Sequence, residues 1–507
     1  MIVRVCTNIQ RLKRYLQFPR ILLEKEVFIL LEKIDNTKVF DYFEEISRIP
    51  RGSGNNKGIS DYLVEFAKKH GLEYKQDDYE NVIIWKDASN GLEDKPGVIL
   101  QGHMDMVCEK DIEISHDFTQ EPLDLQREGD FIFAKGTTLG GDDGIALAYC
   151  LAILEDDTLV HPALEMVFTT DEETGMYGAI GLDTSVLKGK YMINIDSEEE
   201  GTLLTSCAGG MSVHGVFTEK KKEKVGDILK LTVLGLKGGH SGTEIEKHRE
   251  NATLLAARIL NGLETSRISF SFISIEGGQK DNAIPRETTV EIMVEDKNIV
   301  CEKVEEISNL LNREIQIQEP GFKIEMHWKE KERAMVYSEE FTKKILFFLN
   351  HVPNGVQKMS SAIEGLVESS LNLGICHTKE EEVFVSFSLR SSLRTYKEYM
   401  CEQLKELIEL LGGTFYKKSE YPAWEYRADS KLREVMIKIF TEQYGKEPRI
   451  EAIHAGLECG ILSGKKADLD IVSIGPDILD IHTPQERLSI SSTQRVYQYL
   501  LEVLRNI

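Results

Sequence analysis

The chain lacks any Cys-x-x-Cys pair: its eight cysteines (Cys6, Cys108, Cys150, Cys207, Cys301, Cys376, Cys401 and Cys459) are scattered through apolar contexts. That argues against a disulfide framework and fits free thiols in a reducing cytoplasm. No apolar run approaches the roughly 20 residues that a membrane helix needs. The first residues lack the small-residue cleavage site of a signal peptide. Positive charge is scarce, with 61 Lys and Arg against 85 Asp and Glu, a net charge of -24. Nucleic acid and anionic membranes both select a basic face, so neither is an expected partner. What remains is ordinary for a soluble globular protein: 41% hydrophobic and 29% charged residues over 507 positions. That length allows two or three domains and a sizeable core.

Residues 1–30 mix basic and apolar residues, among them Arg4, Arg11, Lys13, Arg14 and Arg20. A purine-rich tract resembling a bacterial ribosome-binding site can encode Lys25-Glu26-Val27. The expectation is therefore that translation starts at a non-standard codon for Leu31 and that 1–30 is an untranslated N-terminal extension. Peptides detected upstream of Leu31 would overturn this. The first domain then begins near Asn36, where Val39, Phe40, Phe43 and Ile46 fall at helical spacing.

Strand and helix signals alternate up to about residue 209, which predicts α/β layering. Helices are expected over 36–49, 59–70 and 145–154, and strands over 74–76, 82–85, 98–100, 131–134, 164–170 and 192–195. From about 209 the texture changes to alternating strands and amphipathic helices, in two α+β halves with a similar order of elements. From about 421 the α/β pattern resumes. The expected organisation is a catalytic domain of 31–209 and 421–507, interrupted by an inserted α+β lid domain of 210–420.

Within the first part, Val98-Ile99-Leu100-Gln101-Gly102-His103-Met104-Asp105 is the organising stretch. A buried strand over Val98 to Leu100 ends in a Gly102 turn that presents His103 and Asp105. If the backbone stays extended there, both side chains point the same way. Taken alone, His-x-Asp fits a polar strand end better than a metal site. The chain adds Asp142, Glu173, Asp196 and His482, each at an expected strand end or glycine-rich turn, where sites in α/β sheets form. Imidazole mixed with carboxylate suits borderline or hard divalent ions. His103 with these four makes five candidate ligands, which suit two metals sharing a bridging carboxylate, an arrangement that activates water and polarises a carbonyl. Glu172, next to Glu173, is the candidate general base.

The strings Gly102-His103-Met104-Asp105, Gly140-Gly141-Asp142-Asp143-Gly144, Asp171-Glu172-Glu173-Thr174-Gly175, Asn194-Ile195-Asp196-Ser197-Glu198 and Ile481-His482-Thr483-Pro484 resemble the M20 metallopeptidase family. Within it they are most similar to the aminoacyl-histidine (Xaa-His) dipeptidase branch. The resemblance covers the chain from about Asn36 to its end. It implies a zinc-exopeptidase-like α/β fold with an inserted lid, and metal-dependent hydrolysis of dipeptides, Xaa-His dipeptides among them. The other activity considered is deacylation of N-acyl amino acids within the same superfamily.

The resemblance also implies roles. Two Zn2+ (Co2+ or Mn2+ substituting) would be held by His103 and Asp196 on one side and by Glu173 and His482 on the other, with Asp142 bridging and followed by a cis peptide. Asp105 would orient His103, and Glu172 would move the proton. From the lid, His240 would stabilise the oxyanion, while Asn282 and Arg390 would hold the substrate, Arg390 by its free carboxylate. The backbone near Gly456 would line the pocket. A cytoplasmic location and a possible homodimer complete the expectations. Asp143 departs from the family, where Asn is common, and is expected to add negative charge beside the metals.

Overall fold

Two sheets divide the work of burying the apolar residues, as seen in a computed structural model that describes residues 37–507. The expected extension 1–30 and the Leu31 start lie outside the described residues. The first sheet has eight strands, in the order Glu73–Gln76, Val82–Lys86, Leu164–Thr169, Val98–His103, Tyr191–Asn194, Asp470–Ser473, Thr202–Cys207 and Arg449–Ile453. Leu164–Thr169, Val98–His103, Tyr191–Asn194 and Asp470–Ser473 run parallel in succession. Side chains alternate across these strands, so the sheet needs cover on both faces. Val98, Leu100, Met166, Phe168 and Ile193 join the helices Thr37–Ser47, Lys57–His70, Gly141–Glu155, Lys431–Tyr444 and Ile490–Asn506 in one core. Ile99, Val167 and Met192 face the other way and pack with Cys459 and Leu462 of the helix Glu458–Lys465. The result is an α/β/α sandwich.

The second sheet begins at Gly209 and its last strand ends at Tyr421. Its strand pairings are antiparallel. The helices Ala252–Thr265, Lys297–Ile315, Glu339–His351 and Arg394–Leu410 share a core with one face of it. Its two halves meet where Phe270–Gly277 pairs with Val367–Lys379 through only Glu276↔His377 and Gly277↔Cys376.

A small four-stranded antiparallel sheet brings distant parts of the chain together. It joins Phe131–Ala134, which leads into the Asp142 loop, to Arg487–Ser489 and Ile478–Leu479, the two strands flanking His482. Segments some 340 residues apart are thereby fixed side by side.

Candidate functional site

The parallel strands set the geometry. Gln101 pairs with Asn194 and His103 with Thr169. Two residues beyond each of the paired Gln101 and Asn194, His103 and Asp196 therefore leave the sheet at the same edge. Glu172 and Glu173 leave it from the neighbouring strand. The expected turn at Gly102 is corrected: the strand continues through Gly102 to His103. A Cβ at Gly102 would lie 2.5 Å from both Ala146 Cβ and Asp143 Oδ2, so glycine is there for close packing against the following helix.

Asp142 occupies the middle. His103 Nε2 lies 2.9 Å from its Oδ1, and His482 Nε2 lies 3.2 Å from its Oδ2. His103 Nε2 is also 3.5 Å from Asp196 Oδ1, and His482 Nε2 is 3.2 Å from Glu173 Oε1. His103-Asp142-Asp196 and Asp142-Glu173-His482 thus form two clusters of potential metal ligands that share Asp142. The Asp142–Asp143 peptide is cis. His482 has a left-handed backbone at φ 60°.

The electrostatics fit a bound cation. Burial opposes charge on Asp142, but hydrogen bonds with His103 and His482 outweigh it and hold the carboxyl below its usual range. Burial alone would lower the His103 imidazole, yet contacts with Asp105, Asp142 and Asp196 raise it well above its usual value. Hydrogen bonds to Asp142 and Glu173 push His482 up to about 10. The carboxylates thus surround both imidazoles with negative charge, which a bound cation would offset. The mixed imidazole and carboxylate donor set is the one that borderline divalent ions accept.

Asp105 is fully buried and has two tasks. His103 Nδ1 lies 3.2 Å from its carbonyl oxygen and 3.4 Å from its Oδ1. Its carboxylate also accepts the backbone N–H groups of Glu172 at 3.0 Å and Glu173 at 3.4 Å, and the Ser53 hydroxyl at 2.7 Å. It therefore aims the imidazole and the acidic loop together. Burial, with the charges of Asp196, Glu458 and Glu173 outweighing the pull of His103, pushes the Glu172 carboxyl well above its usual range. Asp143 is buried next to these carboxylates. Its Oδ2 accepts the His103 backbone N–H at 3.1 Å, and burial pushes its carboxyl well above the usual range.

The residues expected from the inserted segment form a second cluster. His240 Nδ1 accepts the N–H groups of Gly242 and Thr243, both at 3.2 Å, which assigns the ring proton to Nε2. Burial and the nearby Arg390 lower its imidazole. Asn282 is exposed and adjoins His240, because Ala283 pairs with His240 and the Asn282 carbonyl accepts the Ser241 N–H at 2.9 Å. Arg390 is buried and donates through Nη1 to the Tyr421 hydroxyl at 3.0 Å, while its Nε has no partner. A Cβ on Gly456 would lie 2.8 Å from the Tyr421 ring. Among the described residues, no hydrogen bond or ion pair joins this cluster directly to the first. The segment 454–458 spans them: His454 shares a 2.7 Å hydrogen bond with Ser370, and Glu458 accepts from Gln101 and Thr169, both at 2.6 Å, beneath His103.

Tyr421, Glu458, Arg51 and Glu486 were not singled out in the sequence. Glu486 had a local signal, four residues past His482, and Arg51 lay in the turn-rich loop after the first helix. Nothing local marks Tyr421 or Glu458.

Residues 99–506 match the model of peptidase family M20/M25/M40. The chain is 35% identical to the cytosol non-specific dipeptidase of Escherichia coli over 489 residues, 94% of this chain and 99% of that one. The crystal structure of aminoacylhistidine dipeptidase from Vibrio alginolyticus superposes with a TM-score of 0.87 at 35% identity, covering 94% of this chain and 98% of that chain. Aminopeptidase PepT from Bacillus cereus shares the fold at a TM-score of 0.55 and 15% identity, over 93% and 98% of the two chains.

Proposed function

This chain belongs to peptidase family M20/M25/M40, and from that premise we propose that it is a metal-dependent dipeptidase that cleaves the peptide bond of free dipeptides at two bound zinc ions. Both relatives at 35% identity carry dipeptidase names, and the chain spans almost their whole length. The observation that carries the reading is Asp142, held between His103 and His482 at 2.9 and 3.2 Å with Asp196 and Glu173 flanking. In this reading His103 and Asp196 would hold one ion and Glu173 and His482 the other, with Asp142 placed to serve both.

Two such ions, when bound, supply an activated water and polarise the scissile carbonyl. The chain's own residues do the rest. Glu172 takes the proton from the attacking water and delivers it to the leaving amine. Its raised proton affinity suits a group that must accept a proton and then give it up. His240 offers its Nε2 proton to the oxyanion. Arg390, buried with an unpartnered Nε, pairs with the free carboxylate of the substrate, and Asn282 assists it. Residues 210–420 act as a lid over a catalytic unit of 31–209 and 421–507, and a lid that closes on short substrates excludes longer chains. The span of the second sheet, Gly209 to Tyr421, supports this division. The name of the E. coli relative supports a cytoplasmic location.

The test is a panel of carnosine, Gly-His, Leu-Gly, Ala-Ala and an N-acetyl amino acid, assayed with zinc, cobalt or manganese before and after chelation. Metal-dependent cleavage of the free dipeptides is the expected result. Turnover of the N-acetyl compound alone would replace this reading with the deacylase one, which neither relative's name favours.

A further inference from the structure

Arg51 is 1% exposed and Glu486 is 2% exposed, yet neither has a ligand or proton-transfer role in the proposed mechanism. Burying a charge is costly unless it is fully bonded, so both demand an explanation. Glu486 Oε2 accepts the N–H groups of Leu139 at 2.7 Å and Gly140 at 3.0 Å. Its Oε1 accepts those of Gly141 at 2.7 Å and Asp142 at 3.4 Å. These donors belong to the loop that leads into the helix Gly141–Glu155, whose backbone is non-helical at Asp142 and Asp143, so Glu486 satisfies N–H groups that no regular helix would pair.

Arg51 reaches the same loop from the other side. Its Nη1 donates to the carbonyls of Met104 at 2.9 Å and Asp105 at 3.0 Å, and its Nη2 donates to the carbonyl of Gly140. One planar guanidinium therefore ties the segment leaving His103 to the segment entering Asp142. The glycines of the Gly140–Gly144 string make room for it. A Cβ would lie 2.5 Å from Arg51 Nη2 at Gly140 and 2.6 Å from it at Gly144, and Gly140 is also left-handed at φ +66°. At Gly141 a Cβ would lie 3.3 Å from Glu486 Oε1.

We propose that Arg51 and Glu486 are positioning residues that clamp the Asp142 loop, so that the ligand set stands preformed before an ion arrives. Arg51 fixes the separation of His103 from Asp142, because it bonds carbonyls of both segments. Glu486 fixes the separation of Asp142 from His482, because it shares a loop with His482 while bonding the backbone of Asp142. This rests on the metal reading above. Conservative replacements break the clamp for stated reasons. Lysine is a point donor that cannot span three carbonyls in a fixed fork. Glutamine turns an N–H2 group toward N–H donors.

The experiment measures the zinc dissociation constant of the full chain by competition with a chromophoric chelator, with zinc alone and no substrate. It compares wild type, Arg51→Lys, Glu486→Gln and a control, Leu500→Ala, which opens a buried position in the C-terminal helix. Arg51→Lys and Glu486→Gln are each expected to weaken zinc binding about 10–100-fold, the usual effect of removing a group that orients ligands, and Leu500→Ala less than about 2-fold. Should Glu486→Gln fail to fold, Glu486→Asp keeps the charge but shortens its reach, and is expected to weaken binding as well. Binding by the clamp variants as tight as wild type, or weakened no more than by Leu500→Ala, would overturn the proposal. If His103→Ala and Asp142→Ala also bind zinc like wild type, the metal reading itself fails.

Discussion

Glu172 and Glu173 are neighbours proposed for different work, and Asp105 holds their loop by accepting both backbone N–H groups. Glu173 meets His482 at 3.2 Å, whereas Glu172 has no hydrogen bond to either imidazole. Glu172→Gln keeps the shape and removes the proton acceptor, so kcat should fall about 10²–10⁴-fold, the usual worth of such a group, with bound metal unchanged. Kinetics beside metal analysis checks this; loss of metal instead would make Glu172 a ligand. Tyr421 tests the second cluster. Tyr421→Phe removes the hydroxyl that receives Arg390 Nη1, a hydrogen bond from a charged group worth about 1.5–3 kcal/mol, and should raise KM for free dipeptides about 10-fold with little change in kcat. A dipeptide amide, which lacks the carboxylate, should not respond; an equal rise for both would separate Tyr421 from carboxylate binding. The candidate ligands were legible because metal chemistry restricts their residue types and sheet topology restricts their places. Tyr421, Arg51 and Glu486 were not, because their partners are one side chain or backbone atoms supplied by distant segments. The surroundings of Asp143 were illegible for a related reason: it is buried, and its carboxylate accepts the backbone N–H of His103, a contact that no local pattern marks.

Whole elements were read best where one face is buried and the other is not. The strand Thr288–Val294 shows the alternating burial expected of the inserted segment's strands along most of its length. The helix expected from Ile145 stands close to that start: the helical span opens at Gly141, but the backbone is non-helical at Asp142 and Asp143, so the regular helix follows them. The strands Thr202–Cys207 and Gly209–Thr218 and the helix Glu458–Lys465 went unread. The first two are separated only by Ala208, and the helix is short with its first five residues buried, so it shows no one-sided period. Thr414–Tyr421 is an edge strand largely exposed on both faces, so it has no apolar period to read. The helix Lys431–Tyr444 brings the chain back to the first sheet, and Ser430 starts it. The Ser430 hydroxyl accepts the Arg433 N–H at 3.0 Å and donates to Asp470 of the adjacent strand at 2.6 Å. Ser430→Ala should destabilise the protein by about 1–2 kcal/mol without changing KM. Urea unfolding beside steady-state kinetics would show it, and an unchanged unfolding midpoint would deny the cap any weight.

At the scale of the molecule, the interruption of one layered architecture by another was visible as a change of period, because a sandwiched parallel sheet and a one-sided antiparallel sheet bury different positions. What holds the two together was not visible, since it depends on single contacts such as that of His454, just past the strand Arg449–Ile453, with Ser370 of the second sheet. Burial, helped by the charge of Arg390, lowers the His454 imidazole to about 3. The folded protein therefore keeps this histidine neutral through a range in which the unfolded chain, with an ordinary value of about 6.5, takes up a proton. Above pH 6.5 neither state is protonated and nothing is lost. Between 6.5 and 3 the unfolded state binds more protons, so stability falls as pH falls, by about 2 kcal/mol at pH 5. His454→Gln removes that proton sink while retaining a side chain able to bond Ser370. Between pH 7.5 and pH 5, wild type should therefore lose about 2 kcal/mol more unfolding free energy than the variant. Equal losses in urea titrations at the two pH values would mean that His454 is protonated in the folded state. The contact between the sheets would then have to tolerate an imidazolium beside Arg390.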